Sequence, residues 1–141
     1  MSTIAFVGCV KAKRPGRWPA GEKYTSALFT KSRAYAKQHA DRWYILSAKY
    51  GLLAPDEEID DYDETLATMG VRLREEWARR VQEQIESKGI LRTDDEVLWL
   101  AGSKYKAHLS ELLSGFKQTD PLQGLRVGER LSFLTTTRQR S

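Results

Sequence analysis

The chain is predicted to be an α/β protein, with helices covering both faces of a small central parallel sheet in three layers. Three observations predict this. Short β-branched and aromatic runs recur at Thr3–Gly8, Arg42–Ser47 and Glu96–Ala101. Longer stretches with apolar residues every three or four positions separate them. Strands alternating with helices of that length close by right-handed crossovers, which build a parallel sheet covered on both faces. The 141 residues, 40% hydrophobic and 10% aromatic, can bury one core, and no repeat, linker or low-complexity tract divides them. One domain over 1–141 is expected.

Each element follows from local pattern. Thr3–Gly8 ends in glycine and reads as a buried first strand. Cys9 to Lys23 carries Pro15, Gly16, Pro19 and Gly21, and is expected to be a long loop without regular structure. Ser26 to His39 fits a helix, with Leu28, Tyr35, Ala36 and His39 near one face. Arg42–Ser47 is the second strand, and Ala48 to Asp63, held by Gly51 and Pro55, a second loop. Thr65 to Ser87 reads as one amphipathic helix striped by Leu66, Met69, Leu73, Trp77, Val81 and Ile85, with Gly89 as its stop. Glu96–Ala101 is the third strand. A helix capped by Ser103 runs to about Leu113 and ends at Gly115. Phe116–Thr119 suits a short fourth strand, and Leu122–Thr137 is mostly helix.

Composition removes several classes of function. No apolar stretch approaches the ~20 residues a membrane helix needs, and no secretory pattern precedes Cys9. One cysteine makes no internal disulfide, and with His39 and His108 it completes no zinc set, so no metal or cofactor is expected and a reducing cytoplasm is the default. Charge is segregated. Residues 1–49 hold ten Lys/Arg against two acids, residues 50–100 six against fourteen, and residues 101–141 seven against three. The basic first third suits a phosphate-bearing partner, nucleic acid above all, unless the acidic middle neutralises it in the fold.

In open parallel sheets ligands bind beyond the carboxyl ends of the strands. That rule selects three loops: Gly8-Cys9-Val10-Lys11-Ala12-Lys13, Ser47-Ala48-Lys49-Tyr50-Gly51 and Ala101-Gly102-Ser103-Lys104-Tyr105. Each joins a small residue, which lets a ligand approach the backbone, to a lysine and a hydroxyl or thiol. No Walker or dinucleotide glycine motif is present. Cys9 is a candidate nucleophile beside Lys11 and Lys13, or simply a small residue closing the strand. In the acidic loop 55–64, Ile59 and Tyr62 imply that the segment packs down and turns one carboxylate inward, Asp63 first and Asp56 second. Such an acid can orient a water or stabilise an oxocarbenium ion. Tyr24, Phe29, Tyr50 and Tyr62 lie in or beside these loops and are candidates to stack on a base. The other readings are that Phe29 belongs to the core and that Tyr50 only caps the sheet.

These loops carry a resemblance. Val7–Lys13, Tyr24–Phe29, Ile45–Asp56 with Ile59, Tyr62, Asp63 and Thr65, and the closing Pro121–Leu131 resemble an uncharacterised domain family of bacteria and phages over nearly the whole chain. Tyr50-Gly51-Leu52-Leu53-x-Pro55 and Leu100–Tyr105 are similar to motifs of the YaaA peroxide-stress proteins and of the lysine-transfer domain of archaeosine synthase. The resemblance implies a uracil-DNA-glycosylase-like fold with its site at the strand ends. Two motifs of those glycosylases are replaced, Gly-x-Asp-Pro-Tyr by Gly8-Cys9-Val10-Lys11 and His-Pro-Ser by Gly102–Tyr105, and the cysteine set of the iron–sulfur members is missing.

The expected activity is cleavage of the N-glycosidic bond of a modified base in DNA, in phage defence or phage DNA metabolism. Asp63 or Asp56, with Lys49, would serve catalysis. Gly8, Cys9, Lys11, Lys13, Tyr24, Ser47, Tyr50, Gly51, Tyr62, Gly102, Ser103, Lys104 and Tyr105 would bind substrate. Two other readings stay open: a non-catalytic DNA-binding protein of stress protection, and group transfer to a base or nucleotide.

Overall fold

The computed structural model describes residues 2–8, 13–62 and 65–139, with the side chains of residues 67, 127 and 136–139 left aside. The strands are β1 (Thr3–Gly8), β2 (Trp18–Pro19), β3 (Arg42–Ser47), β4 (Gly51–Leu53), β5 (Glu58–Ile59), β6 (Glu96–Leu100) and β7 (Lys117–Thr119). The helices are α1 (Ala20–Lys23), α2 (Ala27–His39), α3 (Val71–Ser87), α4 (Ser103–Leu112) and α5 (Val127–Gln139), with a short 3₁₀ turn at Leu66–Thr68. The main sheet has the order β4-β3-β1-β6-β7, parallel except for its β4 edge.

The three layers follow from the twofold alternation of side chains along β1. Ile4 and Phe6 face one way, into a core with Trp77, Val81 and Ile85 of α3 and Leu109 of α4. Ala5 and Val7 face the other way, into a core with Phe29, Tyr35 and Ala36 of α2 and Leu134 of α5. Ile4 through Val7 have no exposed surface, as expected of a parallel strand covered twice. From β1 the chain leaves through α2 to β3 on one side, and returns through α3 to β6 on the other. The two crossover helices cover opposite faces, so the carboxyl ends of β1 and β6 flank a topological switch point.

Several boundaries differ from the sequence reading, each for a physical reason. The two loops are partly regular. Gly51, at φ +75°, reverses the chain so that β4 returns antiparallel along β3. Trp18–Pro19 and Glu58–Ile59 pair as a two-stranded ribbon, where proline is tolerated because the ribbon has free edges. The helix expected from Thr65 begins only at Val71, after Gly70 as N-cap. Before it, the Thr65 carbonyl accepts from both the backbone N–H and the hydroxyl of Thr68. Leu73, expected in the stripe, is 54% exposed, whereas Trp77, Val81 and Ile85 are buried as read. Gly102, not Ser103, is the N-cap of α4, and no side chain caps that helix. Ser26 caps α2, its hydroxyl accepting from the Phe29 N–H at 3.1 Å. Gly89 ends α3 at φ +61°, as its position after the stripe predicts. Among the described residues no helix is long and apolar enough to cross a membrane.

Candidate functional site

Two structures stand side by side at the carboxyl ends of the strands. The first is built around the end of β3. Ser47, fully buried, donates its hydroxyl hydrogen bond to Tyr62 at 3.0 Å and accepts from the Tyr50 N–H at 3.3 Å. The Tyr62 and Tyr24 hydroxyls share a bond of 2.5 Å, and the Tyr50 ring meets Tyr62 edge-on at 5.6 Å. Helix α3 locks this turn from behind. Trp77 Nε1 donates to the Ser47 carbonyl at 2.9 Å, Arg80 to the Lys49 carbonyl at 2.9 Å, and Gln84 bonds both the Tyr50 carbonyl and the Leu52 N–H. Two cations lie on the aromatic faces, Lys13 Nζ at 4.4 Å from the Tyr62 centroid and Lys49 Nζ at 5.3 Å from the Tyr50 centroid.

The acidic loop packs down, as Ile59 and Tyr62 predicted, for both are buried. Its described acids do not follow. Asp56, expected to turn inward, is exposed in the turn after Pro55, and Glu57, Glu58, Asp60 and Asp61 are exposed too. Turn geometry decides this, since the Glu57 N–H closes on the Ala54 carbonyl and points the intervening side chains outward. Asp61 instead anchors the loop from outside. It accepts from Lys23 Nζ at 2.6 Å and from the Gly16 N–H at 3.1 Å. The Lys23 hydrogen bond, followed by that of Gly16, holds its carboxyl below the usual range. Lys23, with no exposed surface, also donates to the Gly16 carbonyl. Arg17 pairs with Asp60 at 2.9 Å, so part of the basic first third is neutralised by the acidic middle.

The second structure is a cavity of about 160 Å³ at the switch point. Gly8 at the end of β1 and Ala101 after β6 form its floor, so close that a Cβ on Gly8 would lie 3.0 Å from that of Ala101. Gly102 and Tyr105 stand on the β6 side, with the Tyr105 ring held edge-on to Trp77 at 5.5 Å. Among the described residues, Leu28, Phe29 and Ser32 of α2 form one wall, together with Leu122 and Arg130.

The residues expected from sequence therefore divide. Lys13, Tyr24, Ser47, Lys49, Tyr50, Gly51 and Tyr62 gather in the tyrosine cluster, and Gly8, Gly102 and Tyr105 line the cavity. Ser103 and Lys104 are exposed on the first turn of α4 and do not line it. Cys9, Lys11 and Asp63 lie outside the described residues. The sequence reading missed Ser32 and Arg130. Ser32 carried a signal: it is a polar residue on the buried face of α2, in register with Phe29, Tyr35 and Ala36. Arg130 carried none, because α5 has no clear amphipathic stripe.

A family described as "Family of unknown function (DUF6884)" matches residues 4–136. The uncharacterized protein YfjM of Bacillus subtilis (strain 168) is 31% identical over 120 residues, covering 80% of this chain and 78% of that protein. The chain belongs to the DUF6884 family.

Proposed function

We propose that this member of the DUF6884 family is a nucleic-acid enzyme that takes a flipped, modified base into the switch-point cavity and cleaves its N-glycosidic bond. The observation that carries the reading is the cavity itself: a small, largely apolar hollow at the strand ends, walled by Phe29 and Tyr105 and floored by the close approach of Gly8 to Ala101. Cavities of about 150 Å³ with aliphatic and aromatic walls accept one benzene-sized ring. Extruding a base from the stack costs a few kcal/mol, which such a pocket offsets by stacking and burial. The resemblance to uracil-DNA-glycosylase-like folds points the same way, and so does the parallel order β3-β1-β6-β7.

In this reading Lys49 and Lys104, both exposed beside the strand ends, meet backbone phosphates, as would Lys11. Asp63 supplies the carboxylate that stabilises the oxocarbenium ion or orients water, since the other acids of its loop that the structure describes face outward. Incubating the protein with genomic DNAs carrying different modified bases, then counting abasic sites, tests this. Abasic sites are expected on at least one DNA, with Asp63→Asn losing turnover while keeping affinity. Duplex binding with no base release from any of them, by folded protein, overturns it. A mass gain on the nucleic acid would mark group transfer instead.

A further inference from the structure

We infer that the cavity selects a single six-membered heterocycle bearing an exocyclic oxygen acceptor, read by Ser32 and Arg130. This rests on the reading of the cavity as a base site and names the class of ring it takes. Among the described residues, the side chains of Ser32, Arg130 and Tyr105 bring polar atoms to an otherwise apolar lining, and Ser32 and Arg130 are the two taken as readers of the ring. Ser32 is 2% exposed, yet its hydroxyl has no hydrogen-bond partner among the described residues. A hydroxyl on the cavity wall that makes no bond within the described protein is available to pair with a ligand. The second group is Arg130. Its Nε donates to the Leu125 carbonyl at 2.9 Å, which fixes the plane of the guanidinium. Its outer N–H groups have no acceptor among the described residues, and Arg130 lines the cavity.

The chemistry of the two groups sets the occupant's polar edge. A guanidinium only donates, so the ring must present an acceptor to it, an exocyclic oxygen being the strongest neutral one. The serine hydroxyl both donates and accepts, and therefore pairs with a neighbouring ring N–H or nitrogen. Leu28, Phe29, Leu100 and Leu122 offer only apolar contact to the rest of the ring. At about 160 Å³ the space suits one ring rather than a fused pair.

Calorimetric titration with free cytosine, thymine, adenine, benzene and inorganic phosphate tests the inference on the intact chain. Cytosine or thymine should bind, and adenine, benzene and phosphate should not compete. Ser32→Ala should weaken that binding about tenfold while leaving the thermal midpoint unchanged, because the hydroxyl makes no bond to the described residues. A purely structural serine would not separate the two readouts. Arg130→Gln should weaken binding more, about a hundredfold, since its bond is charge-assisted. Arg130→Lys, which keeps the cation, serves if the glutamine variant does not fold. Equal binding of adenine, competition by phosphate, unchanged affinity in Ser32→Ala, or no binding of either pyrimidine overturns the inference. Pyrimidine binding sensitive to Ser32, without abasic sites on any DNA, would overturn only the glycosidic reading. Abasic-site formation without this ring preference would overturn only the inference.

Discussion

The tyrosine cluster at the end of β3 and the cavity between β1 and β6 are neighbours made of similar residues, but they are in opposite physical states. In the cluster, polar groups find one another. Ser47, Tyr24, Tyr62, Trp77, Arg80 and Gln84 are tied together, and the turn 48–50 has its carbonyls bonded by α3. In the cavity the Ser32 hydroxyl and the outer N–H groups of the Arg130 guanidinium find no hydrogen-bond partner among the described residues, and space is left beside them. Burial does not distinguish the two regions; completion does. A satisfied network adds rigidity and stability, whereas an incomplete one is held open by its surroundings and gains most from a ligand.

The sharpest way to break that comparison is Trp77→Ala. It removes a nearly fully buried indole and the donor to the Ser47 carbonyl, and should cost about 3–5 kcal/mol in urea unfolding. A loss under about 1 kcal/mol would mean that α3 does not hold the turn. Gly51→Ala comes next. Its backbone lies at φ +75° and a Cβ there would collide with the Gln84 carboxamide, so a loss of about 1–3 kcal/mol is expected by the same measurement. Gly51→Ala leaves the lining of the cavity untouched, whereas Trp77→Ala also removes the ring that holds Tyr105 edge-on. Ser32→Ala, which alters the lining itself, is expected to leave the fold as stable as before, and this contrast separates scaffold from site.

The smallest expected effect is in acid. Asp61 is held below the usual carboxylate range chiefly by Lys23. Asp95 is held there chiefly by the Arg92 N–H, with help from the Ser2 N–H and the Arg42 charge. A carboxyl whose folded pKa is depressed contributes stability that is present above its unfolded pKa, near 3.8, and is lost as pH falls through the lower folded value. Asp61→Asn and Asp95→Asn should therefore each flatten the loss of stability below that pH, measured as thermal midpoint against pH. An unchanged acid limb in both would show that these contacts do not persist in solution. Because Asp61 belongs to the clustered side, its variant should not change pyrimidine binding in the cavity.

How much of this was legible follows from the range of each signal. β1, β3, β6, α2 and the buried stripe of α3 declare themselves by periodicity over a few residues, and they appear close to where periodicity puts them. The strand-end rule led to Gly8, Gly102 and Tyr105, which do line the cavity. The rule could not tell the cavity from the cluster. Ser47 and Ser32 are both buried serines; what separates them is that the Tyr62 hydroxyl accepts a hydrogen bond from one, while no described residue hydrogen-bonds the hydroxyl of the other. Asp56 failed as an inward acid because a tight turn at Pro55 overrode the packing of Ile59.

By itself the amino-acid order determined the α/β class, the main strands, most of the helices and the loops that gather at one end, since these depend on neighbours a few positions apart. Tertiary structure alone decided the β4-β3-β1-β6-β7 order, the antiparallel edge, and which polar groups were paired. Those outcomes depend on partners such as Gln84 and Leu52, 32 positions apart, or on Arg130 of the last helix reaching the end of the first strand. No local pattern encodes an encounter at that distance; only the folded chain brings it about.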